Sequence, residues 1–193
     1  MKGEAHFVEY TLVTLLSVVL IIGITLLAFS FYRTINENEI KQELRQISAQ
    51  VSDNVVKLYD TARSSKAQPA NYTSVLISEV DLNLPNKVAN KNYDVVLVSA
   101  SQLTPLITLV TIDGANVSTI ISNSNARVIG RTDSDPDVEV EYDIPNIDIS
   151  VQGKASNGQN TTLRYYKYNI NGTVYDTIVL GSLDVLVNIG SVE

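Results

Sequence analysis

An uninterrupted uncharged segment occupies residues 10–32 and reads YTLVTLLSVVLIIGITLLAFSFY, with Glu9 immediately before it and Arg33 immediately after it. Its 23 residues, at about 1.5 Å per residue, form a helix long enough to cross the roughly 30 Å hydrocarbon core of a bilayer. A buried helix of a soluble protein rarely stays apolar on every face over that length. This hydrophobic segment therefore predicts one membrane-spanning helix, with a tyrosine at each end suited to a membrane interface.

The hydrophobic segment differs from a cleaved secretory signal. Such a signal has an apolar stretch of about 7 to 15 residues, followed by a cleavage site with two small residues. Here Ser17, Gly23 and Ala28 are isolated small residues, and a charged stretch follows the segment. We therefore expect the segment to remain in the mature protein.

A second helical pattern follows the hydrophobic segment. Residues 33–66 contain neither proline nor glycine, so nothing in the local chemistry ends a helix before about Ser64. Apolar residues recur at steps of three and four: Ile40, Leu44, Ile47, Val51, Val55, Leu58 and Ala62. This apolar stripe predicts one packed face. Its partner is either the chain's own globular domain or a neighbouring helix in an intermolecular coiled coil.

After Pro69 the sequence changes to short β-branched runs separated by turn residues. Asn171-Gly172 between two such runs is a strong signal for a hairpin with a type I′ turn. Strands are predicted at residues 93–99, 106–112, 117–122, 138–144, 147–151, 161–170, 173–180 and 183–189. The sequence thus predicts an α+β fold: a long N-terminal helical stem, residues 4–66, followed by an antiparallel immunoglobulin-like β-sandwich head, residues 67–193.

Composition excludes several classes of site. The 193 residues include no cysteine and one histidine, His6, which excludes disulfide scaffolds, thiolate metal sites and cysteine nucleophiles. Residues 1–66 hold seven basic and seven acidic side chains, whereas residues 67–193 hold seven and fourteen, so the whole net charge of −7 belongs to the head. An acidic head is a poor partner for nucleic acid.

Sequence motifs of enzymes are missing. The chain contains no Gly-x-Ser-x-Gly elbow, no His-Glu-x-x-His pair, no phosphate-binding loop and no dinucleotide-binding fingerprint. We therefore expect a protein that is not an enzyme and needs no cofactor.

Acidic residues at alternate positions allow two interpretations. Asp133, Asp135 and Asp137 are weak candidates for calcium ligands, because carboxylates at alternate positions can supply oxygen atoms. The loop lacks, however, the glycine at its sixth position and the glutamate at its twelfth that an EF-hand requires. The favoured interpretation is a strand whose acids face water while alternate residues face the core. Those core positions are Val138, Val140, Tyr142 and Ile144.

Four N-glycosylation sequons occur, at Asn71, Asn116, Asn160 and Asn171, and all of them lie in the head. Their placement favours a head outside the cytoplasm and an N-terminus on the cytoplasmic side.

The first residues resemble a known family. Lys2-Gly3-Glu4, then Glu9 and the uninterrupted apolar run, are similar to the class III signal peptide of type IV pilins, particularly the archaeal pilin-like proteins. The resemblance implies that residues 1–3 are a leader, which a prepilin peptidase removes by cutting between Gly3 and Glu4. It also implies a membrane-held precursor that the pilus assembly machinery adds to an extracellular helical homopolymer. Helix contacts in that polymer would involve Glu9, Tyr10, Gly23 and Phe31.

Two functions are therefore kept open. One is a structural subunit of a pilus-like filament with a glycosylated head that serves adhesion. The other is a single-span, membrane-anchored β-sandwich that never polymerises, such as a stator-like component of an archaellum or an envelope-binding module. Processing at Gly3 distinguishes them, because only the first requires it.

Overall fold

The computed structural model describes residues 2–100, 108–111, 116–117, 120–122, 125–133, 136–156, 161–181 and 183–186, and the side chains of residues 9–100, 125–133, 136–156 and 161–181. In these ranges one α-helix is followed by eleven β-strands. The predicted α+β class, a long N-terminal helix followed by a β-rich head, is confirmed.

Helix α1 spans Lys2–Ala62. The strands are β1 (Ser74–Leu82), β2 (Tyr93–Ala100), β3 (Thr108–Thr111), β4 (Asn116–Val117), β5 (Ile120–Ser122), β6 (Arg127–Thr132), β7 (Glu139–Asp143), β8 (Ser150–Ser156), β9 (Thr161–Ile170), β10 (Thr173–Leu180) and β11 (Leu183–Leu186).

The chain forms two compact units, Met1–Glu39 and Ile40–Glu193. The division falls inside α1, so the second half of the predicted stem belongs with the head. We call Ile40–Glu193 the globular unit.

The globular unit is built on an eight-stranded mixed sheet. Seven strands follow the order β1-β9-β10-β8-β2-β6-β7, and β5 pairs with the end of β2. Strands β11, β3 and β4 form a second, three-stranded sheet. The expectation of purely antiparallel pairing is corrected at two places, because β10 pairs with β8 and β2 pairs with β5 in parallel. Parallel pairs need a crossover connection, which the runs of short strands in the sequence did not reveal.

One face of the large sheet packs against residues 40–62 of α1. All seven residues of the apolar stripe are at most 5% exposed and belong to one core cluster. The sheet contributes Tyr93, Val95, Leu97, Leu163, Tyr165, Ile178 and Leu180 to the same cluster. Two partners were left open for the apolar stripe, and in the structure the stripe packs on the chain's own head.

Helix α1 approaches the sheet closely at Gly130 of β6. A Cβ atom at this position would lie 2.9 Å from the Ser48 Oγ and 3.4 Å from the Leu44 Cδ2. Because Gly130 and Ser48 are both small, the helix packs close to the strand, and larger residues at these positions would push the helix and the strand apart.

Several predicted strands are reproduced and others are not. Strands β9 and β10 have the predicted bounds, and Asn171 and Gly172 between them have φ angles of 53° and 83°, as a type I′ turn requires. The strand predicted at residues 147–151 begins only at Ser150 and continues to Ser156. Strands β1 and β6 were not predicted. The ends of the predicted strands 106–112, 117–122 and 183–189 lie partly outside the described residues.

Candidate functional site

The hydrophobic segment has no covering partner within the described part of the chain. Each of residues 10–32 is exposed, and the large hydrophobic side chains range from 50% exposed at Val18 to 75% at Tyr10. A Cβ atom placed on Gly23 would meet nothing within 4 Å. The most apolar 18-residue window of the helix has a mean hydropathy of 2.8 and is unburied. By length and composition, this helix can cross a membrane.

Three hydroxyl groups of the segment donate hydrogen bonds within the helix. Thr14 donates a hydrogen bond of 2.8 Å to the Tyr10 carbonyl, and Ser17 donates one of 2.9 Å to the Val13 carbonyl. Thr25 does the same toward Ile21 at 2.8 Å. Hydroxyls bonded in this way add little cost when the helix is surrounded by lipid tails or by apolar side chains.

One side of the segment carries an open apolar groove. Its lining residues recur at helical spacing: Tyr10, Thr11, Thr14, Leu15, Val18 and Val19. The small β-branched side chains between the larger ones form a shallow surface that another helix can approach closely.

The residues that the pilin resemblance singled out all lie on α1. Gly3 and Glu4 belong to its first turn, and their side chains lie outside the described ones. Glu9 and Tyr10 are exposed at the start of the segment, and Phe31 is exposed near its end. They do not form a cluster in one chain, because 22 positions of a helix separate Glu9 from Phe31.

Two of the three calcium candidates, Asp133 and Asp137, belong to the described residues. Asp133 and Asp137 are exposed and Asp135 lies outside the described residues, among which no three acidic, histidine or cysteine side chains are placed to hold a metal ion. The alternation of β7 is confirmed at Val138 and Val140, which are 3% and 7% exposed. Tyr142, expected in the core, is 40% exposed, because β7 is the last strand of its sheet.

The four sequons have different positions. Asn71 and Asn171 are exposed on the head. Asn116 lies on β4, with its side chain outside the described ones, and Asn160 lies outside the described residues.

A polar cluster joins the C-terminal end of α1 to the sheet. The Tyr59 hydroxyl donates a hydrogen bond to Asp148, and the Arg63 guanidinium lies 5.1 Å from the Tyr59 ring centroid. The Lys167 ammonium, 9% exposed, donates a hydrogen bond of 2.6 Å to the carbonyl of Ser65. This hydrogen bond ties the segment that directly follows α1 to strand β9.

The same cluster changes the acid–base properties of its members. Burial raises the pKa of Asp176, the Asp148 charge adds to the shift, and the Lys167 charge and the Tyr165 hydroxyl oppose it. Among the described residues the Tyr165 hydroxyl and the Asp176 Oδ1 make no hydrogen bond of standard geometry, so the hydroxyl acts on the Asp176 carboxyl as a nearby dipole. Burial, followed by the Asp176 charge, raises the pKa of Tyr165.

A second ionic group lies at the middle of the sheet. Asp94 of β2 accepts a hydrogen bond of 2.7 Å from Ser156, and its Oδ2 lies 2.7 Å from the Lys154 ammonium and 3.9 Å from the Arg131 Nε. Burial pushes the pKa of Asp94 upward, but the bonds from Lys154 and Ser156 and the two positive charges together hold it below its usual value.

A pocket of the globular unit lies where β2 and β7 end. Asn125, Asp143 and Asn146 offer it two amides and one carboxylate, and Ala100 and Ile144 complete part of the wall. These groups suit hydrogen bonding to a polar ligand.

No protein-family model, curated protein or solved structure matches the chain. Its function is therefore argued from its own residues.

Sequence reasoning found the hydrophobic segment and missed the polar cluster. The segment is contiguous, so its chemistry can be read along the chain. Tyr59, Asp148, Tyr165, Lys167 and Asp176 come from four separate parts of the sequence and meet only through the pairing of β9 with β10 and the packing of α1. No local pattern signals such a cluster.

Proposed function

We propose that the protein is a structural subunit of an extracellular type IV pilus-like filament that serves surface attachment. In that filament the hydrophobic segments of neighbouring copies pack together, and the heads form the outer surface. One observation carries the proposal: helix α1 is continuous from Lys2 to Ala62, yet residues 10–32 are apolar and exposed on every face, while the second half buries its apolar stripe in the globular unit.

An exposed apolar helix of this length needs a non-aqueous environment. Burying one leucine- or isoleucine-sized side chain contributes roughly 1.5–3 kcal/mol. Lipid before assembly and neighbouring helices afterwards both supply this burial, so transfer from one to the other loses little hydrophobic stabilisation. The internally bonded hydroxyls of Thr14, Ser17 and Thr25 are compatible with both environments.

The N-terminal residues support the same proposal. Cleavage between Gly3 and Glu4 by a prepilin peptidase would leave the hydrophobic segment close to the new N-terminus, with Glu9 directly before it. The pilus assembly machinery and other copies of this chain are then its partners. The competing function, a membrane-anchored head that never polymerises, uses the same helix and head without processing.

The test of processing is mass spectrometry of the N-terminal peptide on native protein. Membranes are compared with the filament fraction sheared from the cell surface. We expect chains that begin at Glu4 and are enriched in the sheared fraction. Chains that begin at Met1 or Lys2 and occur only in membranes would overturn the filament proposal and favour the anchored head.

The test of assembly is a charge placed within the hydrophobic segment. Ile22→Asp puts a carboxylate near the centre of the segment, where it costs about 3 kcal/mol on membrane-insertion scales. Gln42→Asp is the matched control, because Gln42 is exposed on the globular half of the same helix. We expect Ile22→Asp to abolish filaments and Gln42→Asp to preserve them. Normal filament abundance with Ile22→Asp contradicts the proposal.

A further inference from the structure

Two of the four sequons, one hundred positions apart in the sequence, meet at one corner of the head. The Asn71-Tyr72-Thr73 segment lies beside the Asn171-Gly172 turn, which joins β9 to β10. The Tyr72 amide donates to the Asn169 carbonyl at 2.8 Å, and the Asn169 amide donates to the Thr73 carbonyl at 3.1 Å. These two backbone hydrogen bonds hold the segments together. We call the residues of the two sequons the sequon corner.

Each asparagine of the sequon corner has its side-chain oxygen bonded to the other sequon. The Gly172 amide donates a hydrogen bond of 3.3 Å to the Asn71 Oδ1. The Tyr72 hydroxyl donates one to the Asn171 Oδ1. A side-chain amide carries its oxygen and nitrogen on the same carbon, pointing in different directions. With the oxygens held toward the protein and both residues exposed, the two Nδ2 atoms are left to face solvent.

We propose that the sequon corner is one N-glycan attachment site with two alternative asparagines, of which Asn171 is the preferred acceptor. A glycan on either asparagine blocks transfer to the other. The inference rests on one part of the proposed function, the placement of the head outside the cytoplasm. The donor is an oligosaccharide linked to a lipid phosphate or pyrophosphate. The asparagine Nδ2 forms a bond to the anomeric carbon and loses one proton, while the bond from that carbon to the phosphate oxygen breaks and the lipid phosphate leaves with the electron pair.

The local geometry favours Asn171 as the acceptor. Asn171 lies at the tip of a two-residue turn, and a Cβ atom on the following Gly172 would meet nothing within 4 Å. Asn71 is followed instead by Tyr72, a bulky residue in the left-handed region with a φ of 59°. The Thr73 hydroxyl donates a hydrogen bond of 2.7 Å to the Ala70 carbonyl. A sequon requires the hydroxyl of its third residue, and in the Asn71 sequon the proton of that hydroxyl is already engaged in a hydrogen bond within the protein.

The closeness of the two acceptors accounts for the exclusion. The Asn71 Oδ1 lies 3.3 Å from the amide nitrogen of the residue that follows Asn171. A sugar attached to the Nδ2 of one asparagine therefore fills the space that a transferase needs in order to reach the Nδ2 of the other asparagine. Each head is expected to carry one glycan at the sequon corner.

The experiment counts glycans on native protein by intact mass and locates them by glycopeptide mapping. Asn116→Asp and Asn160→Asp are introduced first, so that the intact mass reports the sequon corner alone. We expect one glycan mass per chain, located on Asn171. Asn171→Asp keeps an oxygen acceptor for the Tyr72 hydroxyl and removes the reactive amide, and the single glycan is expected to move to Asn71. Adding Asn71→Asp is expected to remove it. Thr173→Val, which removes the Asn171 sequon without altering its asparagine, is expected to act like Asn171→Asp.

A matched control is Asn86→Asp, because Asn86 is an exposed asparagine outside any sequon and its replacement leaves the glycan mass unchanged. Two glycans at the sequon corner of one chain would contradict the mutual blocking of the two asparagines. A single glycan on Asn71, in a chain that keeps both asparagines, would contradict the preference for Asn171. Unmodified asparagines would contradict the proposal that the corner is a glycan attachment site. Failure of the filament proposal is a separate result. A glycan on chains confined to membranes contradicts the filament alone, and unmodified asparagines in sheared filaments contradict the sequon corner alone.

Discussion

Gly153 lies within β8 with a φ of 110°, and a Cβ atom there would lie 2.2 Å from the Leu180 carbonyl oxygen and 2.8 Å from its amide nitrogen. The parallel pairing of β8 with β10 therefore depends on a residue without a side chain. We expect Gly153→Ala to lower the free energy of unfolding by at least about 4 kcal/mol or to prevent folding, since backbone atoms cannot rotate away. Gly172→Ala is the control: it has a φ of 83° and open space around it, so only left-handed strain of about 1–2 kcal/mol is expected. Urea unfolding measures both, and equal losses would contradict the close contact.

Two aspartates with shifted pKa values, Asp94 and Asp176, predict opposite pH dependences of stability. Their pKa values shift in opposite directions from the same reference value of 3.8, so one effect lies above that pH and the other below it. Asp176 has a raised pKa in the folded state, so the folded chain binds more protons and stability falls as the pH rises above about 4. Asp94 has a lowered pKa, so its contribution is lost as the pH falls below about 4. We expect Asp176→Asn to flatten the stability curve above that pH and Asp94→Asn to flatten it below. Thermal melts from pH 2 to 7 measure this, and an unchanged slope above pH 4 in Asp176→Asn would refute the first assignment.

At the scale of elements, the two halves of α1 make opposite predictions for one substitution. Leu44 is fully buried in the core of the globular unit, whereas Leu20 is 57% exposed in the hydrophobic segment. We expect Leu44→Ala to cost about 2–5 kcal/mol of unfolding free energy through lost transfer energy and a cavity. Leu20→Ala is expected to leave the unfolding of the globular unit within about 0.5 kcal/mol. Chemical unfolding in detergent compares them, and a loss for Leu20→Ala as large as for Leu44→Ala would contradict the division of the helix.

The elements that could be predicted from sequence are those whose signal is local. The apolar stripe from Ile40 to Ala62 and the hairpin at Asn171-Gly172 are fixed by periodicity and turn chemistry, and both are present. Strand β1 was missed because a register shift between Leu76 and Ser78 breaks its alternation. Parallel pairing and the cluster around Asp176 depend on which strands become neighbours. That choice is made by long-range packing, which no short window of sequence contains.

For the molecule as a whole, the two compact units imply that the globular unit folds without the hydrophobic segment. Its core cluster draws its α1 residues from Ile40 onward, and its sheets start at Ser74. A chain that begins at Thr34 therefore keeps the apolar stripe and every described strand while losing residues 10–32. Domains that have their own core and lose only exposed apolar surface are expected to remain folded and to become more soluble.

We expect the chain that begins at Thr34 to be a folded monomer in water. Its melting temperature is expected to lie within a few degrees of that of the full chain in detergent, because none of the deleted residues whose side chains are described belongs to the core cluster. The full chain without detergent or lipid is expected to self-associate through its exposed helix. Light scattering and circular dichroism measure these properties. The matched control is the same shortened chain with Leu44→Ala, which is expected to melt roughly 4–20 °C lower, since a loss of about 2–5 kcal/mol shifts the midpoint by about 2–4 °C for each kcal/mol in a domain of this size. A shortened chain that is unfolded, or that associates as strongly as the full chain, would mean that the hydrophobic segment stabilises the globular unit rather than serving the contacts between copies.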